Sequence, residues 1–190
     1  MSQTLILHWN GTAWKVVPSP DSAGPTLPQV LYGVAGVPGQ DAWAVGHYFN
    51  SAFEKSMILH RNGTAWKQVT SPNPGSQGTF LYGVRTTSAS NAWAVGTAYN
   101  GTADKTLLVH WDGTDWKQVK SPNPGGATQN NDLDSIAVTS ATDAWAAGEY
   151  GNSPDIQTLV LHWDGSAWRR VTRPEPWRSR DRRHPHRDRR

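Results

Sequence analysis

The 190-residue chain contains no cysteine, which excludes a disulfide scaffold, a thiolate metal centre and a thiol nucleophile. No apolar run approaches the ~20 residues of a membrane-spanning helix, so no membrane partner is expected. The opening residues, MSQTLILHWNGTAW, have neither a basic segment nor a long apolar stretch, and no signal peptide is expected in this chain. Charged residues make up only 17%, below the usual share for a soluble protein. What the chain has instead is turn formers and indoles: 18 glycines, 13 prolines and 11 tryptophans. That balance favours an all-β protein of many short strands.

The net charge of +3 and the pI near 9.3 are unevenly spread. Residues 169–190 hold ten arginines against three acids, a net of +7. The remaining eight basic and twelve acidic residues leave the body at −4. Attraction to phosphate would come from the tail alone, over 177–190, whose composition predicts disorder. No nucleic-acid partner is expected for the body.

One phrase recurs four times: LILHWNGTAWKVV, MILHRNGTAWKQV, LLVHWDGTDWKQV and LVLHWDGSAWRRV. Its histidines, His8, His60, His110 and His162, lie 52, 50 and 52 residues apart. A second phrase, DAWAVG, NAWAVG or DAWAAG, carries Trp43, Trp93 and Trp145, and a third (LYGVAGV, LYGVRTT, LDSIAVT) precedes it. Each period reads as four strands; in the middle unit they are expected near 81–85, 92–97, 106–111 and 115–120. Asn62-Gly63, Asp112-Gly113 and Asp164-Gly165 predict tight two-residue turns with positive φ. SPNP-type segments make the crossing to the next unit.

A four-stranded antiparallel meander with a period of 40–50 residues is the pattern of a β-propeller blade. The chain resembles bacterial β-propeller repeat proteins from about Leu5 to Pro176. Its period resembles that of kelch repeats, and HWDGTDW is similar to an Asp-box turn, with histidine where that turn has serine or threonine. The resemblance implies a secreted or cell-surface bacterial parent. The expected organisation is a half blade at 4–17, blades at about 31–72, 81–122 and 133–174, and an Arg-rich tail at 177–190. That amounts to about three and a half blades, open or incomplete. Two accounts of the ends follow: a fragment of a longer propeller, or copies that self-associate through unclosed blade edges.

The four histidines occupy the same place in separate units, so they do not converge on one substrate or metal; hydrogen bonding to the neighbouring turn is their expected role. Asp41 and Asp143 alternate with Asn91, which suits a turn residue and not a general base. There is no Walker-type loop, no Gly-x-Ser-x-Gly and no acid pair beside clustered arginines. No catalytic residue, metal or cofactor is expected. Trp9, Trp111 and Trp163 beside the turns, with Arg61 replacing tryptophan in the second copy, are expected near the surface as candidate ligand-binding residues. The function expected is a non-catalytic scaffold presenting variable segments (21–29, 76–80 and 128–132 between blades; 49–54, 100–104 and 151–155 within them) to a protein or glycan partner. The alternative is a lectin-like propeller with one weak sugar site per blade.

Overall fold

A computed structural model describes residues 3–24, 26–37 and 41–172. Among them are fourteen strands and no helix. An opening hairpin, β1 (Ile6–Trp9) and β2 (Trp14–Val17), precedes three four-stranded antiparallel meanders. Blade I comprises β3 (Gln29–Gly36), β4 (Asp41–Phe49), β5 (Glu54–Asn62) and β6 (Trp66–Val69). Blade II comprises β7 (Gly78–Ser88), β8 (Asn91–Tyr99), β9 (Asp104–Trp111) and β10 (Trp116–Val119). Blade III comprises β11 (Asn130–Ser140), β12 (Asp143–Gly151), β13 (Gln157–Trp163) and β14 (Trp168–Arg170). The fold is an open β-propeller. Positions 173–174 of the last blade and the tail at 177–190 lie outside the described residues.

Strands apolar on both faces are explained by neighbours on both faces. In β8, Ala92 and Ala94 point into the core shared with blade I, whereas Trp93 and Val95 point into the core shared with blade III. In β9, Leu107 and Val109 face blade I and Leu108 faces blade III. Each seam is filled by indoles. Trp43 and Trp93 are essentially inaccessible, and burying one such ring is worth about 4–6 kcal/mol of gross transfer energy. The opening hairpin packs on blade I through Ile6 and Val17, against Ala44, Met57, Leu59 and Trp66.

The inner strands run further at both ends than the sequence pattern indicates in blade II, and each carries a bulge, between Leu31 and Gly33, Leu81 and Gly83, and Leu133 and Ser135. The bulge drives a carbonyl against the next strand. A Cβ on Gly46, Gly96 or Gly148 would stand 1.8, 2.0 or 2.1 Å from the carbonyl oxygen of Val30, Phe80 or Asp132. That contact explains why every AWAVG-type phrase ends in glycine.

The turns before the fourth strands differ from the two-residue form expected. They are four-residue loops closed by the pairs Trp9↔Trp14, Arg61↔Trp66, Trp111↔Trp116 and Trp163↔Trp168. Only the glycine has positive φ, +96° at Gly11 and +100° at Gly113. The preceding side chain acts as a cap instead: Asp112 Oδ1 accepts from the backbone N–H groups of Thr114 and Asp115, both at 3.0 Å. Asn10 and Asp164 do the same in their loops. The SPNP crossings are pinned to the third strands. The Thr106 and Ser121 hydroxyls bond at 2.6 Å, and the Thr106 N–H donates to Asn123 Oδ1 at 2.8 Å; Ser56, Ser71 and Asn73 repeat this in blade I.

Candidate functional site

The recurring histidines are structural. His60, His110 and His162 bond through Nε2 to Asp41 (3.0 Å), Asn91 (2.8 Å) and Asp143 (2.7 Å) of their own blades. Each ring lies over the tryptophan of the adjacent strand, with centroids 4.1 Å apart for Trp43 and His60 and 4.2 Å for the other two pairs. An amide serves in blade II where carboxylates serve elsewhere, so the bond asks for an acceptor and not for a charge. Among the described residues, no group of three His, Asp or Glu side chains could hold a metal ion.

The tryptophans expected near the surface divide. Trp9 is exposed. Trp111 and Trp163 are half-buried: Trp111 lies 4.9 Å from Trp43 and Trp163 lies 5.1 Å from Trp93, each ring bridging to the preceding blade. Their indole N–H groups donate to the carbonyls of Ala89 (2.9 Å) and Ala141 (3.1 Å). Arg61 occupies the same register in blade I but lines a groove with Ile6, Leu7 and His8 of the opening hairpin. Its neighbour there carries no AWAVG strand, so no indole stands opposite, and arginine is tolerated.

The meander instead brings the variable segments together. First strands start, second strands end and third strands start at one end of every blade, so both the crossings and the within-blade loops emerge there. Between blades II and III, segments 100–104, 128–132 and 151–155 wall a cleft of about 540 Å³ lined by Tyr99, Asp104, Asp132, Glu149, Asn152 and Ile156, among others. Its walls are tied to each other. The Asp104 N–H donates to Asn130 Oδ1 at 3.0 Å, and the Asn130 N–H donates to Asn152 Oδ1 at 3.2 Å.

The cleft is acidic and short of cations. Burial, then the nearby charges of Asp104, Asp134 and Glu149, pushes the Asp132 carboxyl up to about 6, although the Thr97 hydroxyl opposes this. Burial raises Asp104 also, against the Thr97 hydroxyl and Lys105. The Lys105 ammonium is engaged elsewhere, donating to the carbonyls of Gly126 (2.7 Å), Ala127 (3.1 Å) and Gln129 (3.3 Å). Toward blade I the acids give way to an aromatic row. Tyr32 stands 5.5 Å from Tyr82 and 5.6 Å from His47, and Phe80 stands 4.8 Å from His47. Tyr82 joins the two regions: burial and the charge of Asp132 raise its phenol well above the usual range. Burial lowers His47, with Glu54 opposing.

Apart from Tyr32, Tyr82 and Asp134, which belong to the recurring LYGV-type phrase, these residues fall in no motif of the sequence, yet a signal was there. Tyr32, Tyr82 and Asp134 share one register of the repeat, and His47, Thr97 and Glu149 share another. These registers change character beside positions that stay constant, Leu31, Leu81 and Leu133 for the first and Gly46, Gly96 and Gly148 for the second.

Blades that follow one another in sequence order, seams built on tilted and edge-to-face indoles and inner strands in close contact define the class: an antiparallel β-propeller array. A solved structure of YCF48 bound to D1 peptide, also a β-propeller, superposes with a TM-score of 0.52 at 12% identity, covering 76% of this chain. The match spans 41% of that chain. No family model and no curated protein matches the sequence.

Proposed function

We propose that the chain is a non-catalytic binding scaffold that holds a segment of a protein partner across the variable end of its blades. The observation that carries this reading is the placement of the Tyr32–Phe80–Tyr82 aromatics beside the Asp104–Asp132–Glu149 cleft at the variable end of the blades, with Tyr82 close enough to feel the charge of Asp132. A basic side chain would neutralise carboxylates whose neighbouring cation, Lys105, is held by backbone carbonyls, while an adjoining apolar or aromatic residue would stack on the tyrosines. YCF48, which shares the fold, is a propeller seen with a peptide bound. That precedent supports a peptide-sized partner; the sequence of the partner follows from the chemistry of the band. Glycan stacking draws less support, since Trp9 alone of the four candidate residues is exposed.

Selection from a random peptide display library tests the reading. Enriched peptides should carry lysine or arginine beside an aromatic residue and should weaken with added salt. The combined D104N, D132N and E149Q variant should bind them about tenfold more weakly, the loss of a moderate electrostatic contribution. Peptides of no common charge, or selected peptides indifferent to the triple substitution, would remove this proposal. Saturable binding on a glycan array with none to peptides would replace it with the lectin-like alternative.

A further inference from the structure

The two ends of the blade array carry opposite halves of the interaction that joins the blades inside it. At the seam of blades I and II, Leu107, Val109, Trp111 and Trp116 on the outer strands of blade II cover Trp43, Val45 and Ile58 of blade I. At the seam of blades II and III, Leu159, Leu161, Trp163 and Trp168 cover Trp93, Val95 and Leu108 in the same way. The geometry repeats closely. Trp43 lies 4.9 and 5.0 Å from Trp111 and Trp116, and Trp93 lies 5.1 and 5.4 Å from Trp163 and Trp168.

Among the described residues, the opening hairpin has the covering half with no blade face against it. Leu5, Leu7, Trp9 and Trp14 stand in the register of Leu107, Val109, Trp111 and Trp116, and all four are exposed, Trp14 by 65%. Blade III has the receiving half. Trp145, Ala147 and Val160 stand in the register of Trp93, Val95 and Leu108; Trp145 is 41% exposed and Ala147 is exposed. Both halves already hold the shape found in the closed seams. The Trp9 and Trp14 rings are 5.9 Å apart at 53°, against 6.1 Å at 43° and 6.0 Å at 40° within blades II and III. Trp145 meets His162 at 4.2 Å and 35°, against 4.2 Å and 34° for Trp93 and His110.

We infer that this chain associates head to tail with a second copy of itself, the β1–β2 hairpin of one copy seating on the β12–β13 face of the next. The occupant is defined by the two internal seams, which show which side chains that face takes and at what spacing. Little ordering is needed, because the indole pairs are preset. The contact joins different surfaces, so it leaves one free half at each end of a dimer and can extend or close. It does not depend on the variable end of the blades, and it stands or falls separately from the binding function proposed above.

Complementation between two full-length variants tests it by sedimentation velocity across a concentration series. L7K with V16K disables the hairpin face, and A147K disables the face of blade III; all three positions are exposed. The wild-type chain should shift from monomer to dimer and larger species as concentration rises. Each variant alone should remain monomeric with an unchanged far-ultraviolet spectrum. Their equimolar mixture retains one sound hairpin and one sound receiving face, and should form a dimer that grows no further. A wild-type chain that stays monomeric, variants that assemble like wild type, or a mixture that stays monomeric would each overturn the inference.

Discussion

Asp132 holds a charge that the fold makes costly, and its replacement should show the cost directly. Burial, with the neighbouring acids, pushes the carboxyl up to about 6 from the 3.8 of an ordinary aspartate. Carried over entirely to folding, that difference would destabilise the ionised protein by about 3 kcal/mol. The cleft is about half open to water, which screens the charge and reduces the expected cost to about 1 kcal/mol. The sign follows from the raised value: the folded state prefers the protonated acid, so the cost is absent below about pH 3, grows as pH rises and is complete above about pH 7. A carboxamide at this position cannot ionise, and Asp132→Asn should be more stable than wild type by about 1 kcal/mol at pH 8 and equal to it at about pH 3. Urea unfolding of both proteins across this range reads Asp132 together with its coupling to Asp104, Asp134 and Glu149, because the more distant titrations are shared and cancel in the difference. A gap that did not vary with pH, or one that widened toward acid, would refute the reasoning. It would mean that water or Lys105 already satisfies the cluster and that the cleft has no unmet demand for a cation.

Gly96→Ala should lower stability by about 3 kcal/mol or more in urea unfolding, because the new Cβ meets the Phe80 carbonyl oxygen at 2.0 Å and backbone cannot yield as a side chain does. Trp163→Ala should cost about 3 kcal/mol by opening the seam to Trp93, whereas Trp9→Ala in dilute solution should cost less than about 1 kcal/mol. Asn100→Ala removes an acceptor for the Thr102 and Ala103 N–H groups and should cost about 1 kcal/mol, with Asn100→Asp close to neutral because Asp112 and Asp164 fill the same role in other loops. Thermal unfolding of the three Asn100 forms side by side checks the order.

The repeat made much of the frame legible. The spacing of His60, His110 and His162 was enough to separate them, and the alternation of Asp41, Asn91 and Asp143 already pointed to a hydrogen-bond acceptor in place of an acid. The bulges were hidden because they add one residue to one strand and leave the apolar pattern readable on either side. Their trace was the glycine ending each AWAVG-type phrase, whose constraint comes from a carbonyl sixteen residues earlier in the chain. The surface position expected for Trp111 and Trp163 rested on Arg61 sharing their register. That comparison assumed that every blade has the same neighbour, and blade I does not. The candidate cleft was legible only as a set of variable segments: the chain direction in each blade brings 100–104, 128–132 and 151–155 to one place, whereas the shared environment that raises Asp132 arises only once blades II and III pack.

The middle blade differs from its neighbours in a way that bears on how the protein opens. Eight consecutive residues of β8, Asn91–Ala98, are buried, whereas burial in β12 alternates with exposure. Because each blade touches only the next, cooperativity runs along the array as through a row of coupled links, strongest where both sides are occupied. Amide protons in β8 and β9 should therefore exchange with solvent last, through nearly global opening, while those of the opening hairpin and of β13–β14 exchange by fraying from either end. A partner gripping the cleft between blades II and III would clamp the link nearest the fraying front, so occupancy at that cleft would be felt as slowed exchange throughout the last blade.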